Sequence, residues 1–486
     1  MEEIMQRLDS AYIGGEFVTV LGSETVEIAN PATEEVIATV TLGNREDAKR
    51  AIAAASRAQS MLRKTGKAER IDMLRRLQSA VLKHTDRIRE VTIDEYGAPQ
   101  ARAQWVSRYA SQCFENAARI LQDYPLERAA GGASVVMEPV GVAALIAPWN
   151  STAGTVCSKL ASALAAGCAS VIKPSELSPI QTQVLCEALH EAGLPPGVFN
   201  VVLGRGADVG DEISTSAGIA RISFTGSTQT GKTIARAALE TMKRVSLALS
   251  GKSATIVLDD ADLASALPMA VNAAFMNNGQ ACVAGSRLLV PRTRMAEVVK
   301  QVQAIVAGMV VGDPRDPVTT LGPLASQGQF DRVQHYIRRG QEQGAELVAG
   351  GEGRPDGITR GWFVRPTVFA NVRNDMDIAR EEIFGPVLSI VPYDCEQEAV
   401  AIANDSIYGL HGYIFSAQPR RARDLADSLQ VGTVLINRID PDMLAPFGGV
   451  KQSGIGREFG AAGLEAFLEP KTIAMPVAAA GNDKGK

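Results

Sequence analysis

Short runs rich in β-branched residues alternate with helical stretches through most of this 486-residue chain. That alternation constrains the fold more than any other feature. It runs through "ASVIKPSE", "TQVLCEALHEAGL", "VFNVVLG", "RISFTGS", "TGKTIARAALETM" and "RVSLAL". Strands separated by helices pair through crossovers, which gives βαβ units and a mainly parallel sheet. A second alternation starts at "SATIVLDDAD" and holds a helical stretch through Val271 to Asn277. It continues with "GSRLLVPRT", a helix around "MAEVVKQVQAIVAG", then "AELVAGG", "VRPTVFANV", "VLSIVPYD", "QEAVAIANDS" and "GYIFS". Two α/β domains joined near residue 250 are expected. Ahead of them, from about Arg45 to Leu121, apolar residues recur every three or four positions, which predicts helices. "GGASVVMEPVGVAALIAPWN" follows as short β-rich runs broken by Gly and Pro, and the tail after Val477 reads as solvated.

Composition mainly excludes. With 46% hydrophobic and 21% charged residues the chain is an ordinary globular one. A net charge of −5 without a dominant basic run offers nothing for nucleic acid to grip. The start, "MEEIMQRLDS", is too polar for a signal peptide, and runs such as "VGVAALIAPW" are too short to span a bilayer. Six cysteines, at 113, 157, 168, 186, 282 and 395, show no paired spacing, which predicts a reduced, cytoplasmic protein. Four histidines without metal-ligand spacing predict no metal site.

Three short motifs carry chemistry. "GSTQTGKT", Gly226 to Thr233, follows the strand "RISFTG" and matches the P-loop pattern, so a phosphate site, a P-loop nucleotidase and a plain tight turn all compete. "VIKPSE" puts Lys173 and Glu176 just past a strand end, where open α/β sheets meet ligands; a carboxylate there suits ribose hydroxyls. In "FMNNGQACVAGSR", Cys282 follows turn-forming residues with Gly279 and Ala281 leaving room around it. A nucleophilic thiol needs a lowered pKa or a neighbouring base, and no histidine is near in sequence. The other five cysteines are expected to be inert core packing.

Together "APWN", "IKPSE", "FTGSTQTG", "FMNNGQACVAGSR", "EEIFGPV" and "PFGGVKQSGIGREFG" resemble, in type and order, the aldehyde dehydrogenase superfamily. The resemblance runs from about "YIGGEF" to "GLEAFLEPKTI" and demotes the P-loop reading. It implies that Cys282 attacks the aldehyde carbonyl, that the Asn150 amide and the Cys282 N–H hold the oxyanion, and that hydride passes to NAD(P)+, leaving a thioester. It places Glu382 and Phe384 at the nicotinamide ribose and ring, Lys173 and Glu176 at the adenosine ribose, and Gly226 and Ser227 by the pyrophosphate. It extends the cofactor site to Trp149, Ser175, Gly206, Gly210, Phe224 and Leu249. The duller alternatives are a surface carboxylate for Glu382 and a turn cap for Asn150.

One position departs from the family. The segment that normally reads E-L-G-G-K or E-L-S-G-K is here "ALSGK", so Ala248 stands where the water-activating glutamate belongs. Three explanations compete: an engineered Glu→Ala replacement, a naturally inactive NAD-binding homologue, and a CoA-acylating enzyme that needs no water base. The first is favoured because the surrounding motifs are conventional. Glu458, in "GREFG", is a candidate proton relay.

The resemblance also implies a substrate pocket at Ser151, Thr155, Ser158, Met276, Ala281, Val283 and Phe447, a mostly small, weakly polar set that leaves room for a bulky or aromatic aldehyde. Arg438, in "NRIDPDM", is expected to be solvated rather than to bind a distal carboxylate of the substrate. Glu176 favours NAD, because a carboxylate repels a 2′-phosphate, although Lys173 and Ser175 leave NADP possible. The expected architecture is a Rossmann-like cofactor domain (1–120 and 140–248), an α/β catalytic domain (249–452) and a small β bridging or oligomerisation element (121–139 and 467–486). Its exposed β edges predict a homodimer or homotetramer.

Overall fold

A computed structural model describes residues 6–475, so the expected tail and the 476–486 part of the bridging element lie outside the described residues. Two large sheets organise the chain. The first runs in the order Gly454–Ile455, Arg244–Ala248, Arg221–Thr225, Ala143–Ile146, Ser170–Lys173, Phe199–Val201, Ser10–Ile13 and Glu16–Thr19. Its five central strands pair in parallel, while Gly454–Ile455 and the hairpin Ser10–Thr19 add antiparallel edges. Ala143–Ile146 and Ser170–Lys173 are buried throughout, as strands covered by helices on both faces must be. The chain moves one way from Ala143–Ile146 to Phe199–Val201, then returns to its other side with Arg221–Thr225 and Arg244–Ala248. That reversal opens a crevice at the carboxyl ends of the strands.

The second sheet has the order Glu346–Ala349, Thr367–Ala370, Val387–Tyr393, Arg287–Pro291, Ala254–Val257, His411–Phe415 and Thr433–Ile436. All its pairs are parallel except the first. A small antiparallel sheet joins Glu127–Ala130, Ala133–Pro139 and Leu468–Ala474, with all seven residues of the last strand paired.

The expected helical region resolves into Arg45–Leu62, Lys67–Lys83, Thr85–Tyr96 and Gln100–Asp123. Asn44 caps the first by accepting from the Glu46 and Asp47 amides, and Asp47 reaches back to the Asn44 N–H. Two readings need correction. The helix expected to run to Asn277 stops at Phe275, because Asn277 and Asn278 take left-handed backbone conformations that asparagine tolerates. Cys395 is exposed ahead of the helix Glu396–Asn404 and is not core packing; Cys113, Cys157, Cys168 and Cys186 are buried as expected. The strands before residue 42 were not foreseen; Gln6–Leu8, Thr25–Ala29 and Val36–Thr41 form a further three-stranded sheet.

Candidate active site

The carboxyl ends of the first sheet's strands gather the cofactor-type residues. The Thr225 strand runs into Gly226, whose N–H donates to the Ala248 carbonyl at 3.1 Å. Ser227 then caps the helix Thr228–Leu239 by accepting from the Thr230 N–H. Because the helix starts at Thr228, the P-loop match has no loop in which to cradle phosphate, and Lys232 donates to Gln452 instead. A glycine followed by a helix N-terminus still presents N–H groups and partial positive charge to a pyrophosphate. Phe224 lies beneath Gly226, where a Cβ would come within 2.5 Å of its ring, and Leu249 packs against Gly231 in the same way. Two strands away, Lys173 lies 3.5 Å from Glu176, and Gly210 packs beside the Lys173 stem while Gly206 faces open space. Arg205 lies 3.7 Å from the other Glu176 oxygen. Ser175, between them in sequence, is buried, and its hydroxyl oxygen accepts from the Leu177 N–H at 3.2 Å. This donor set fits a dinucleotide across the crevice, with carboxylate for ribose and backbone amides for phosphate.

The loop that carries Cys282 is pinned by its own polar side chains. Asn277, Asn278 and Gly279 all have positive φ, so the backbone turns sharply just before Cys282. Asn278 donates to the Gly97 and Pro323 carbonyls and accepts from the Gly322 N–H. Gln280 donates to Tyr96 Oη and accepts from the Ala325 N–H, while Tyr96 donates to the Asn277 carbonyl. Asn150 Nδ2 donates to the Gln280 carbonyl at 2.8 Å, and Asn277 returns a bond to the Asn150 carbonyl. A Cβ on Gly279 would lie 2.2 Å from the Gly385 carbonyl carbon, and φ there is +72°. Gly279→Ala is therefore expected to lose about 2 kcal/mol or more, combining left-handed strain with overpacking, read as a lower urea midpoint.

The Ala248 turn packs directly on this loop. Ala248 ends its strand between Thr225 and Gly454 and is 5% exposed. A Cβ on Gly251 would lie 2.3 Å from the Cys282 carbonyl oxygen, so only glycine allows the approach. Glu382 accepts from the Gly251 N–H at 3.0 Å. Burial raises the Glu382 carboxyl, opposed by the Ser250 hydroxyl and the Gly251 amide. Phe384 keeps a positive φ and meets Trp149 edge-on at 5.5 Å. The Cys282 thiol is pushed up to about 12, first by burial and then by the charge of Glu382. Glu382→Gln removes that charge, so the thiol loses protons more readily and iodoacetamide labelling at pH 8 should speed up several-fold. An unchanged rate would mean burial alone holds the proton.

Cys282 opens into a cavity of about 930 Å³. Ser151, Thr155, Ser158, Met276, Ala281, Val283 and Phe447 all line it with Asn150. Sequence reading missed the aromatic wall. Trp105 and Tyr109 stack at 5.0 Å on the helix Gln100–Asp123, and Phe275, Phe459 and His411 close other sides. The four-residue spacing of Trp105 and Tyr109 marks one helix face, the only signal that could have found them. Arg438 is exposed at the cavity rim. Glu458 also lines the cavity, tied to Lys159 and 3.3 Å from Ser223 Oγ. Among the described residues no group of three His, Cys, Asp or Glu is placed to hold a metal, and no helix is long and apolar enough to cross a membrane.

This architecture and motif set recur in known proteins. The pattern of the aldehyde dehydrogenase family matches residues 18–473. A 3-succinoylsemialdehyde-pyridine dehydrogenase from Pseudomonas is 45% identical over 95% of this chain and 97% of its own length. The crystal structure of aldehyde dehydrogenase C from Pseudomonas syringae, a mutant with NAD+ and octanal, superposes with a TM-score of 0.95 at 41% identity over 99% of both chains. Betaine aldehyde dehydrogenase from Staphylococcus aureus, with NAD+, gives 0.93 at 35% identity over 98% of this chain and 97% of that one. The chain belongs to the aldehyde dehydrogenase family and is an NAD-dependent enzyme that oxidises aldehydes to carboxylic acids.

Proposed function

We propose that this enzyme acts on bulky, largely apolar or aromatic aldehydes through Cys282, and that Ala248 leaves its acyl-enzyme slow to hydrolyse. The single observation that carries the reading is Cys282 in the lining of a cavity of about 930 Å³ that Trp105, Tyr109, Phe275 and Phe447 also line. Such a space accepts a ring or a long chain, while a two-carbon aldehyde would leave most of it unfilled. A relative named as a 3-succinoylsemialdehyde-pyridine dehydrogenase and one solved with octanal support the same class.

The Cys282 sulfur adds to the aldehyde carbon, and negative charge develops on the carbonyl oxygen. One N–H of the Asn150 amide already serves the Gln280 carbonyl, so its second remains for that oxygen, beside the Cys282 backbone N–H. NAD+, when bound, accepts the hydride that turns this adduct into a thioester. Lys173, Ser175, Glu176, Gly226 and Ser227 are the residues we assign to its adenosine and phosphate end, Glu382, Phe384 and Trp149 to its nicotinamide end. Glu176 favours NAD over NADP, with Arg205 the nearest cation that offsets it. Hydrolysis then needs a base, and a methyl group stands at 248.

The test is an aldehyde panel, from acetaldehyde through octanal to benzaldehyde and a pyridine aldehyde, read by NADH absorbance. A preference for the larger members supports the reading; acetaldehyde as the best substrate sinks it. For assembly, the outer edges of the small sheet, Glu127–Ala130 and Leu468–Ala474, are exposed and suit pairing with another copy, so a homodimer or homotetramer is expected on size exclusion. Six unpaired cysteines fit a reducing, cytoplasmic setting. The domain division stated from sequence, with residues 249–452 as the catalytic unit, is proposed on the same footing.

A further inference from the structure

The helix Gln100–Asp123 sets Arg102, Trp105 and Tyr109 three and four residues apart, on one face, and all three line the cavity that holds Cys282. The Arg102 guanidinium lies over the indole of Trp105, its carbon 4.4 Å from the ring centroid. Its Nε donates to Asn277 Oδ1 at 3.2 Å, and Asn277 in turn donates to the Asn150 and Gln280 carbonyls. The guanidinium is thereby held at its face and at one edge, next to the loop that carries Cys282.

Its other edge is unused. Nη1 and Nη2 have no acceptor among the described residues, and no carboxylate there pairs with Arg102. Unlike sealed polar atoms of the core such as Lys252 Nζ, these two nitrogens keep accessible surface. Arg102 is partly buried, and a cation taken out of water is normally paired. Burial lowers its guanidinium from the ordinary value, and no carboxylate opposes that shift. The first turn of the helix adds no acidic residue and no capping side chain, so its partial positive charge stands beside the cation unopposed. The cavity's other charges are engaged or wet. Glu458 is tied to Lys159, while Arg438, Asp440 and Asp442 are exposed on the rim, where water and salt screen them.

We propose that Arg102 anchors a carboxylate at the far end of the substrate, so that the preferred aldehydes carry a bulky apolar body between the reacting carbonyl and an anionic group. A guanidinium whose terminal N–H groups are free offers a planar fork that a carboxylate fills with two parallel bonds. The rings of Trp105 and Tyr109, stacked beside it, suit the apolar body. The proposal rests on Cys282 as nucleophile and adds a charge to the bulky aldehydes of the preceding section.

The experiment compares matched pairs of aldehydes in the stopped-flow NADH burst of the full-length enzyme: 4-carboxybenzaldehyde with its methyl ester, and 8-oxooctanoate with octanal. The quantity read is the burst rate divided by the half-saturating aldehyde concentration. In the parent the carboxylate should exceed its neutral partner by about 10–10²-fold in at least one pair, the scale of a hydrogen bond to a charge. The gain should fall mainly on the half-saturating concentration, because a distal contact is present before and after attack. Arg102→Gln keeps a donor for Asn277 but removes the charge, and the ratio should collapse towards one. A parent ratio near one in both pairs overturns the proposal. So does a ratio that Arg102→Gln leaves unchanged, including equal slowing of both members, since the guanidinium then only steadies the Asn277 loop. Where Arg102→Gln gives no burst with either member, Arg102→Met, which keeps the stem over Trp105, is read by the same ratio. The reading of a bulky substrate fails separately: it is judged by octanal against acetaldehyde, both neutral, and no carboxylate enters that comparison.

Discussion

Ala248→Glu is expected to raise steady-state turnover by about 10²–10⁴-fold, the usual value of a general base. Position 248 is the last residue of a central strand, beside Thr225 and Gly454, and the next turn touches the Cys282 carbonyl through Gly251. A side chain leaving that strand end needs to travel only the width of one turn to meet water above the nucleophile. The Thr225 hydroxyl there is buried and lacks a partner, so it stands ready to donate to an added carboxylate. Pre-steady-state NADH formation checks this. The parent should show a burst followed by slow turnover, because hydride transfer precedes the base-dependent step. In the variant the burst should merge into fast linear turnover. A parent that already turns over quickly without a burst would show that position 248 does not limit the reaction.

Cys282→Ala should lower aldehyde-dependent NADH formation by about 10⁴-fold or more, the scale seen when a covalent nucleophile is removed. NAD+ binding should persist, because Lys173, Glu176 and Gly226 belong to the first sheet and the sulfur makes no bond that holds them. The cysteine inventory gives an internal control. Four of the other five are buried, and Cys395 is exposed and does not line the cavity. Iodoacetamide should therefore label Cys395 in both proteins, while NAD+-sensitive labelling should vanish in the variant. Residual activity near the parent level would remove Cys282 from the mechanism.

Local features of this protein were written in its sequence because they arise from short-range physics. The 3.6-residue spacing of apolar side chains yields the four helices between Arg45 and Asp123, and Gly226-Ser227 after a β run yields a capped helix. The run of Asn277, Asn278 and Gly279 signalled a turn, though not three successive left-handed residues, since that conformation is stable only with Gly97, Pro323 and Tyr96 accepting or supplying its hydrogen bonds. The expectation that position 248 departs from a family pattern likewise rests on the sequence alone.

Tertiary structure alone decided what surrounds the sulfur. His411, Phe447 and Trp105 lie far apart along the chain and meet only where two sheets and a long helix converge. The strand Gly454–Ile455 crosses back to the first sheet beside Ala248, a pairing no local periodicity encodes. That His411 Nε2 is buried without a hydrogen-bond partner is likewise invisible in sequence, because whether a buried group has a partner depends on atoms brought together by packing. Residue type and spacing settle the elements and the chemistry at hand; the choice of which groups face the nucleophile belongs to long-range contacts, whose chain-closure entropy only the complete fold offsets.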